Sequence, residues 1–235
     1  MKRSNPVGRN AFTLVEVFVV MVVICVMVAV FLPQMVRPRP YGLRVRCSNN
    51  LKQIGLAFKI WALDNNDRFP MQVSVTNGGT MELVSAGNVW PHFLVMSNEL
   101  STPRILFCPE EPDKQRTVAN TFLPYPQPPP SGRPYYPPVP LTNDNHISYF
   151  VGVDADNSHP QMMLAGDHNL SIGGNPAGHG LHSVWTNTPL SWVKPVHEGA
   201  GNVLLVDGSV QRLPNSNWHS VLIQTGVATN RLAVP

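Results

Sequence analysis

Three hydrophobic patterns follow one another along the chain. The first is continuous: from Val17 to Leu32 no side chain is charged or polar apart from the thiol of Cys25. Taken as helix, Phe12–Leu32 is 21 residues, about 31 Å long at the helical rise, enough to cross a hydrocarbon core. A cleaved secretory signal would be shorter and end in small residues, whereas Ala29-Val30-Phe31 leads to Pro33 here. A buried helix of a globular domain is rarely apolar on every face. The pattern predicts a retained transmembrane helix over 12–33 behind a basic leader, 1–11. The second pattern is periodic. After a Pro-rich break (34–44) holding Pro38, Pro40 and Gly42, a helix is expected from Val45 to Leu63. Its Leu51, Ile54, Phe58 and Trp61 fall on one core-facing side, Lys52 and Lys59 lie off it, and Asp64-Asn65-Asn66-Asp67 ends it. The third pattern is of short strands with turns between them. Ile147–Val151 and Gln161–Ala165 read as strands, and Asn202–Val206 with Ser209–Leu213 flank Asp207-Gly208. That dipeptide predicts a type I′ hairpin turn. The fold class expected is α+β, an antiparallel sheet packed on the 45–63 helix.

Between the last two patterns lies Leu123–Pro140, in which nine of 18 residues are proline. Such a stretch favours an extended polyproline loop without a core of its own, so it is read as a surface insertion (123–140) in one exported domain, 45–235. The net charge of +3 is carried by Lys2, Arg3 and Arg9; the remaining 14 basic groups (17 less these three) balance 14 acidic ones. A neutral body has no nucleic-acid footprint. Arg37, Arg39, Arg44 and Arg46 follow the apolar segment, so charge flanks alone leave its orientation nearly tied.

Candidate chemistry is sparse. Six of eight histidines lie between His146 and His197, with Asp154, Asp156, Asp167 and Asp207 nearby. No pair has a tight ligand spacing such as H-E-x-x-H, and there is no nucleophile elbow. The expectation is therefore no enzyme, no metal and no cofactor, with a structural role for His197, Asp207 and Gly208. Cys25 behaves as a small apolar residue within the apolar segment. Cys47 and Cys108 either close a loop of about 60 residues, worth about 4 kcal/mol, or stay as two buried thiols; sequence leaves both open. Glu16, an ionisable group within an apolar segment, either marks where the helix meets the membrane interface or has a partner there.

The string Ala11-Phe12-Thr13-Leu14-Val15-Glu16 resembles the prepilin processing site of type IV pilins and type II secretion pseudopilins. The resemblance implies cleavage between Ala11 and Phe12, N-methylation of Phe12, and pairing of Glu16, the fifth mature residue, with a neighbour's terminal amine. The family prefers Gly where this chain has Ala11. Cys47-Ser-Asn-Asn-Leu-Lys-Gln-Ile-Gly-Leu-Ala-Phe58, Phe107-Cys108-Pro109 and the box running from His197 across nine residues to Asp207-Gly208 resemble, in order, segments of a large bacterial pilin-like family whose main domain is of unknown function. Relatives there carry Ala- and Arg-rich sequence where this chain has the prolines of Arg37–Gly42. The resemblance implies a membrane-anchored pilin or pseudopilin-like subunit. Its expected partners are a prepilin peptidase/methyltransferase, other pilin-like subunits and the inner membrane. It would be single-pass, with a cytoplasmic N-terminus and an extracytoplasmic C-terminal domain. The other reading is a singly anchored surface-binding module that uses the C-terminal sheet and Pro-rich loop and has no filament role.

Overall fold

The computed structural model describes residues 13–35, 40–123, 138–194, 197 and 199–235. The chain divides into two units, Met1–Arg39 and Pro40–Pro235. Ala11 and Phe12, and with them the expected cleavage site, lie outside the described residues.

In the first unit one helix, α1, runs from Leu14 to Met35, so Pro33 does not end it. Its side chains are described as far as residue 29, and every one of them is exposed, Leu14 at 85% and Phe18 at 65%. Among the described residues no helix is long and apolar enough to cross a membrane, so the span expected over 12–33 is met here as a helix but not as a crossing. The start of α1 is a capping box that the sequence reading overlooked, although Thr13-x-x-Glu16 is its signature. The Glu16 amide donates to Thr13 Oγ1 (3.3 Å), while the Thr13 amide and hydroxyl each donate to Glu16 Oε2 at 2.8 Å.

The second unit begins with α2, Pro40–Asp64, five residues before the expected start at Val45. Proline is tolerated in a first helical turn because its missing N–H has no intrahelical partner there. Leu51, Ile54, Phe58 and Trp61 are buried as expected, and the helix stops where Asn66 and Asp67 turn to positive φ. Two short helices, α3 (Trp90–Leu94) and α4 (Ser97–Leu100), follow. The strands are β1 Tyr149–Gly152, β2 Met163–Asp167, β3 Leu170–Ile172, β4 Asn175–Pro176, β5 Gly180–Trp185, β6 Leu190–Trp192, β7 Ala200–Leu205, β8 Val210–Pro214 and β9 Thr229–Val234. A last helix, α5 (Trp218–Gln224), lies between β8 and β9.

Among the described residues these strands make a six-stranded antiparallel sheet, β5-β9-β1-β2-β7-β8, and a small sheet, β4-β3-β6. The large sheet is buried on both faces. Tyr149, Val151, Leu204 and Ala233 face the α2 core, whereas Phe150, Val203, Leu205, Leu232 and Val234 face a second core with Trp192, Trp218 and Leu222. Alternation thus persists in direction but not in polarity, which is why the sequence announced only one covered face. At Gly55 the helix lies so close to the sheet that a Cβ would come within 2.8 Å of Leu204 Cδ1.

The hairpin at Asp207-Gly208 forms, but not with the expected turn. Only Gly208 has positive φ, +87°, whereas a type I′ turn needs it at both central residues. The Gly208 amide donates to Leu205 O (3.0 Å) and the Leu205 amide to Ser209 O (2.9 Å). Val206, Asp207 and Gly208 therefore form a three-residue loop, a type I turn closed by a left-handed glycine. Val206 is buried, which draws it out of the strand and into the loop. Gly208→Val should lower stability by more than about 1 kcal/mol, since a β-branched residue resists this φ although space is open around it. An unchanged midpoint in urea would refute that.

The Pro-rich insertion falls mostly outside the described residues, yet its base is fixed. The Asn120 amide donates to Val139 O (2.9 Å), the Val139 amide to Asn120 Oδ1 (2.8 Å) and the Leu141 amide to Thr121 O (3.0 Å).

Candidate functional site

The three sequence boxes that looked separate converge in space. Cys47 comes from the second turn of α2, Cys108 from the segment that follows the 103–106 turn, and His197 from the loop before β7. Cys47 and Cys108 are joined by a disulfide, with Cα atoms 5.3 Å apart, which resolves the alternative left open above. His197 Nε2 lies 3.6 Å from Cys108 Sγ. All three residues are buried, and their ligand-capable atoms lie within 4.8 Å of one another.

Two carboxylates complete the cluster. Asp167, at the end of β2, places Oδ2 3.3 Å from His197 Nε2. The same oxygen accepts from the Asn202 amide (2.7 Å) and from Asn202 Nδ2 (2.9 Å), so β7 holds the carboxylate in place. Its other oxygen, Oδ1, is buried without a hydrogen-bond partner. On the far side of the ring Glu110 Oε2 closes on Nδ1 as an ion-pair contact that is not aligned as a hydrogen bond. Burial alone would lower the pKa of His197, but the carboxylates of Asp167 and Glu110 outweigh it and the value is raised. His197 itself has a positive φ of 51°, a backbone state that a non-glycine residue adopts only when its surroundings fix it.

A second polar chain runs alongside. Glu111 Oε2 accepts from the Ser148 hydroxyl (2.7 Å) and pairs with His168 Nε2 (2.8 Å). Burial pushes the Glu111 carboxyl up, yet His168, Ser148 and Arg116 bring it below its usual value. Tyr149, whose hydroxyl accepts from Asn50 Nδ2 (3.3 Å), has its pKa raised by burial and by Asp167. The order here is hydroxyl to carboxylate to imidazole, so the Ser148 hydroxyl faces a carboxylate and not the imidazole. A cleft of about 200 Å³ opens beside this chain, lined by Glu111, Asp113, His168, Asn169 and Lys194 among others.

The expected site residues are therefore split. Cys47, Cys108 and His197 meet in one buried cluster, while Asp207 and Gly208 shape the hairpin, where Asp207 Oδ1 accepts from the Ser209 amide (2.8 Å) and Oδ2 from Gln161 (3.3 Å). Glu16 caps α1. The sequence reading missed Glu110 and Asp167 as partners of His197, which stand 87 and 30 positions away. No family model, no curated protein and no solved structure matches the chain.

Proposed function

We propose that the chain is a pilin-like, membrane-anchored structural subunit. In this reading a prepilin peptidase/methyltransferase cuts between Ala11 and Phe12, and the mature chain, N-methylated at Phe12, assembles with other pilin-like subunits into a type II secretion or type IV pilus-like filament. The observation that carries the reading is α1: an apolar helix, exposed at every described side chain, whose first turn bears one carboxylate. A surface of this kind needs lipid or the helices of neighbouring subunits to cover it. The backbone of α1 continues to Met35, 22 residues in all, a length that in this reading suits a hydrocarbon core. The Cys47–Cys108 disulfide supports an oxidising, extracytoplasmic location for the second unit, with the N-terminus cytoplasmic. The protein acts as substrate of the peptidase and as building block, not as catalyst.

The capping box sharpens the test of Glu16. Glu16→Ala removes both the charge and the cap, whereas Glu16→Gln keeps an acceptor for Thr13 and removes only the charge. Both variants should insert and be cleaved, giving a chain that begins at methylated Phe12 by mass spectrometry. Both should lose crosslinking to neighbouring subunits in the membrane, because the pairing with a neighbour's terminal ammonium is gone. Wild-type crosslinking by the Gln variant would defeat the filament reading and leave a singly anchored binding module.

A further inference from the structure

We propose that Cys47, Cys108 and His197 form a zinc site that becomes available when their disulfide is reduced, with Asp167 as fourth ligand and Glu110 orienting the imidazole. The proposal does not depend on the filament reading.

The spacing carries it. A tetrahedral zinc holds thiolate sulfur at about 2.3 Å and imidazole nitrogen or carboxylate oxygen at about 2.0–2.1 Å. From those radii, sulfur and nitrogen on one ion lie about 3.6 Å apart, and nitrogen and oxygen about 3.3 Å. Cys108 Sγ and His197 Nε2 are 3.6 Å apart, and Asp167 Oδ2 and His197 Nε2 are 3.3 Å apart. The two edges from the imidazole thus stand at ligand distance already. The two sulfurs must separate, and the Asp167 carboxylate, which lies outside the group of Cys47, Cys108 and His197 atoms within 4.8 Å of one another, must move toward them as the ion enters. Two thiolates, one imidazole and one carboxylate are a donor set that suits zinc and disfavours calcium or magnesium.

The surroundings fit as well. When Nε2 binds an ion, the ring's proton sits on Nδ1, and metal-bound histidines generally present that nitrogen to a carboxylate. Glu110 Oε2 stands there. A ligating carboxylate is itself held by hydrogen bonds, and Asn202 supplies two to Asp167 while Oδ1 is left without a partner in a residue only 2% exposed. All four ligand residues are buried, as in the closed sites in which zinc is structural.

The chemistry balances with a dithiol reductant of the thioredoxin class. It gives two electrons and two protons to the Cys47–Cys108 bond and is itself left as a disulfide. The two thiols then release their protons to solvent as the zinc–sulfur bonds form. Disulfide and zinc are therefore alternative closures of the same site, selected by redox state.

The test uses the full chain in detergent micelles, reduced with a phosphine and loaded with zinc under inert gas. One equivalent of zinc should survive gel filtration, and X-ray absorption should give a shell of two sulfurs and two lighter atoms. The oxidised chain should retain none. Cys47→Ser/Cys108→Ser should bind none while keeping the wild-type far-ultraviolet circular dichroism. Asp167→Asn and His197→Gln should each weaken binding tenfold or more. A reduced chain that folds only when zinc is present supports the site equally. A reduced wild-type chain that retains no zinc, or zinc without sulfur in its shell, overturns the proposal, as does equal retention by the oxidised chain.

Discussion

Serine at both Cys47 and Cys108 is expected to lower the unfolding free energy of the second unit by about 4 kcal/mol, the chain-entropy value for a loop of this length. The bridge spans a sequence separation of 61 and ties α2 to the segment after the 103–106 turn. Unbridged, the denatured chain regains the conformations that the loop excluded, and two hydroxyls must be buried where sulfur was. Urea unfolding of the oxidised wild type against the double variant measures the difference. A loss under about 1 kcal/mol would mean that the bridge constrains little that the fold does not already fix.

The second large effect is acid sensitivity through His92. It is wholly buried, its Nδ1 meets the Thr80 hydroxyl at 2.7 Å, and Nε2 has no partner. Burial lowers its pKa from 6.5 to about 4. Above pH 6.5 the imidazole is neutral in folded and unfolded chains alike, and the stability is at its full value. As pH falls from 6.5 to 4 the unfolded chain binds a proton that the folded chain refuses, which costs about 3 kcal/mol by pH 4. Below that the folded chain is protonated too, and this group contributes no further loss. His197 has the opposite sign: its raised pKa adds stability below pH 6.5 that is lost as pH rises through the folded value. The comparison must therefore be between variants. His92→Leu with Thr80→Val, which leaves no hydroxyl unpaired, should show a flatter loss of stability between pH 6.5 and 4.5. Parallel curves would refute the assignment.

What could be read in advance followed from which surfaces are one-sided. The α2 stripe of Leu51, Ile54, Phe58 and Trp61 was legible because that helix has one wet face and one dry face. The second core was not, because Phe150, Val203 and Leu205 alternate with residues equally apolar, so no polarity rhythm marks them. The small sheet was missed for another reason: Leu170–Ile172 and Leu190–Trp192 are three residues each, too short for any period to show. At the site the cysteines and His197 stood out by residue type alone. Their assembly did not, since Glu110 and Asp167 reach His197 only through the pairing of β2 with β7 and the path of the chain after the 103–106 turn. The turn at Asp207-Gly208 was recognised but mistyped, because the dipeptide does not say whether Val206 belongs to the strand or the loop.

The place of β9 has a consequence for the order in which the molecule can be completed. It pairs with β5 on one side and β1 on the other, and among the described residues β5 has no other partner within the large sheet. On a chain that emerges from its N-terminal end, β1, β2, β7 and β8 can pair among themselves as soon as residue 214 is free. Residues 180–185 must wait, their backbone amides and carbonyls unmatched, until residues 229–234 arrive to join the two parts. During that interval the chain exposes the open edge of β1 and an unpaired β5, either of which could be captured by another copy, or by a chaperone that binds extended segments. β9 is thus the strand that closes the sheet, and slow delivery of its six residues would lengthen the period of greatest risk.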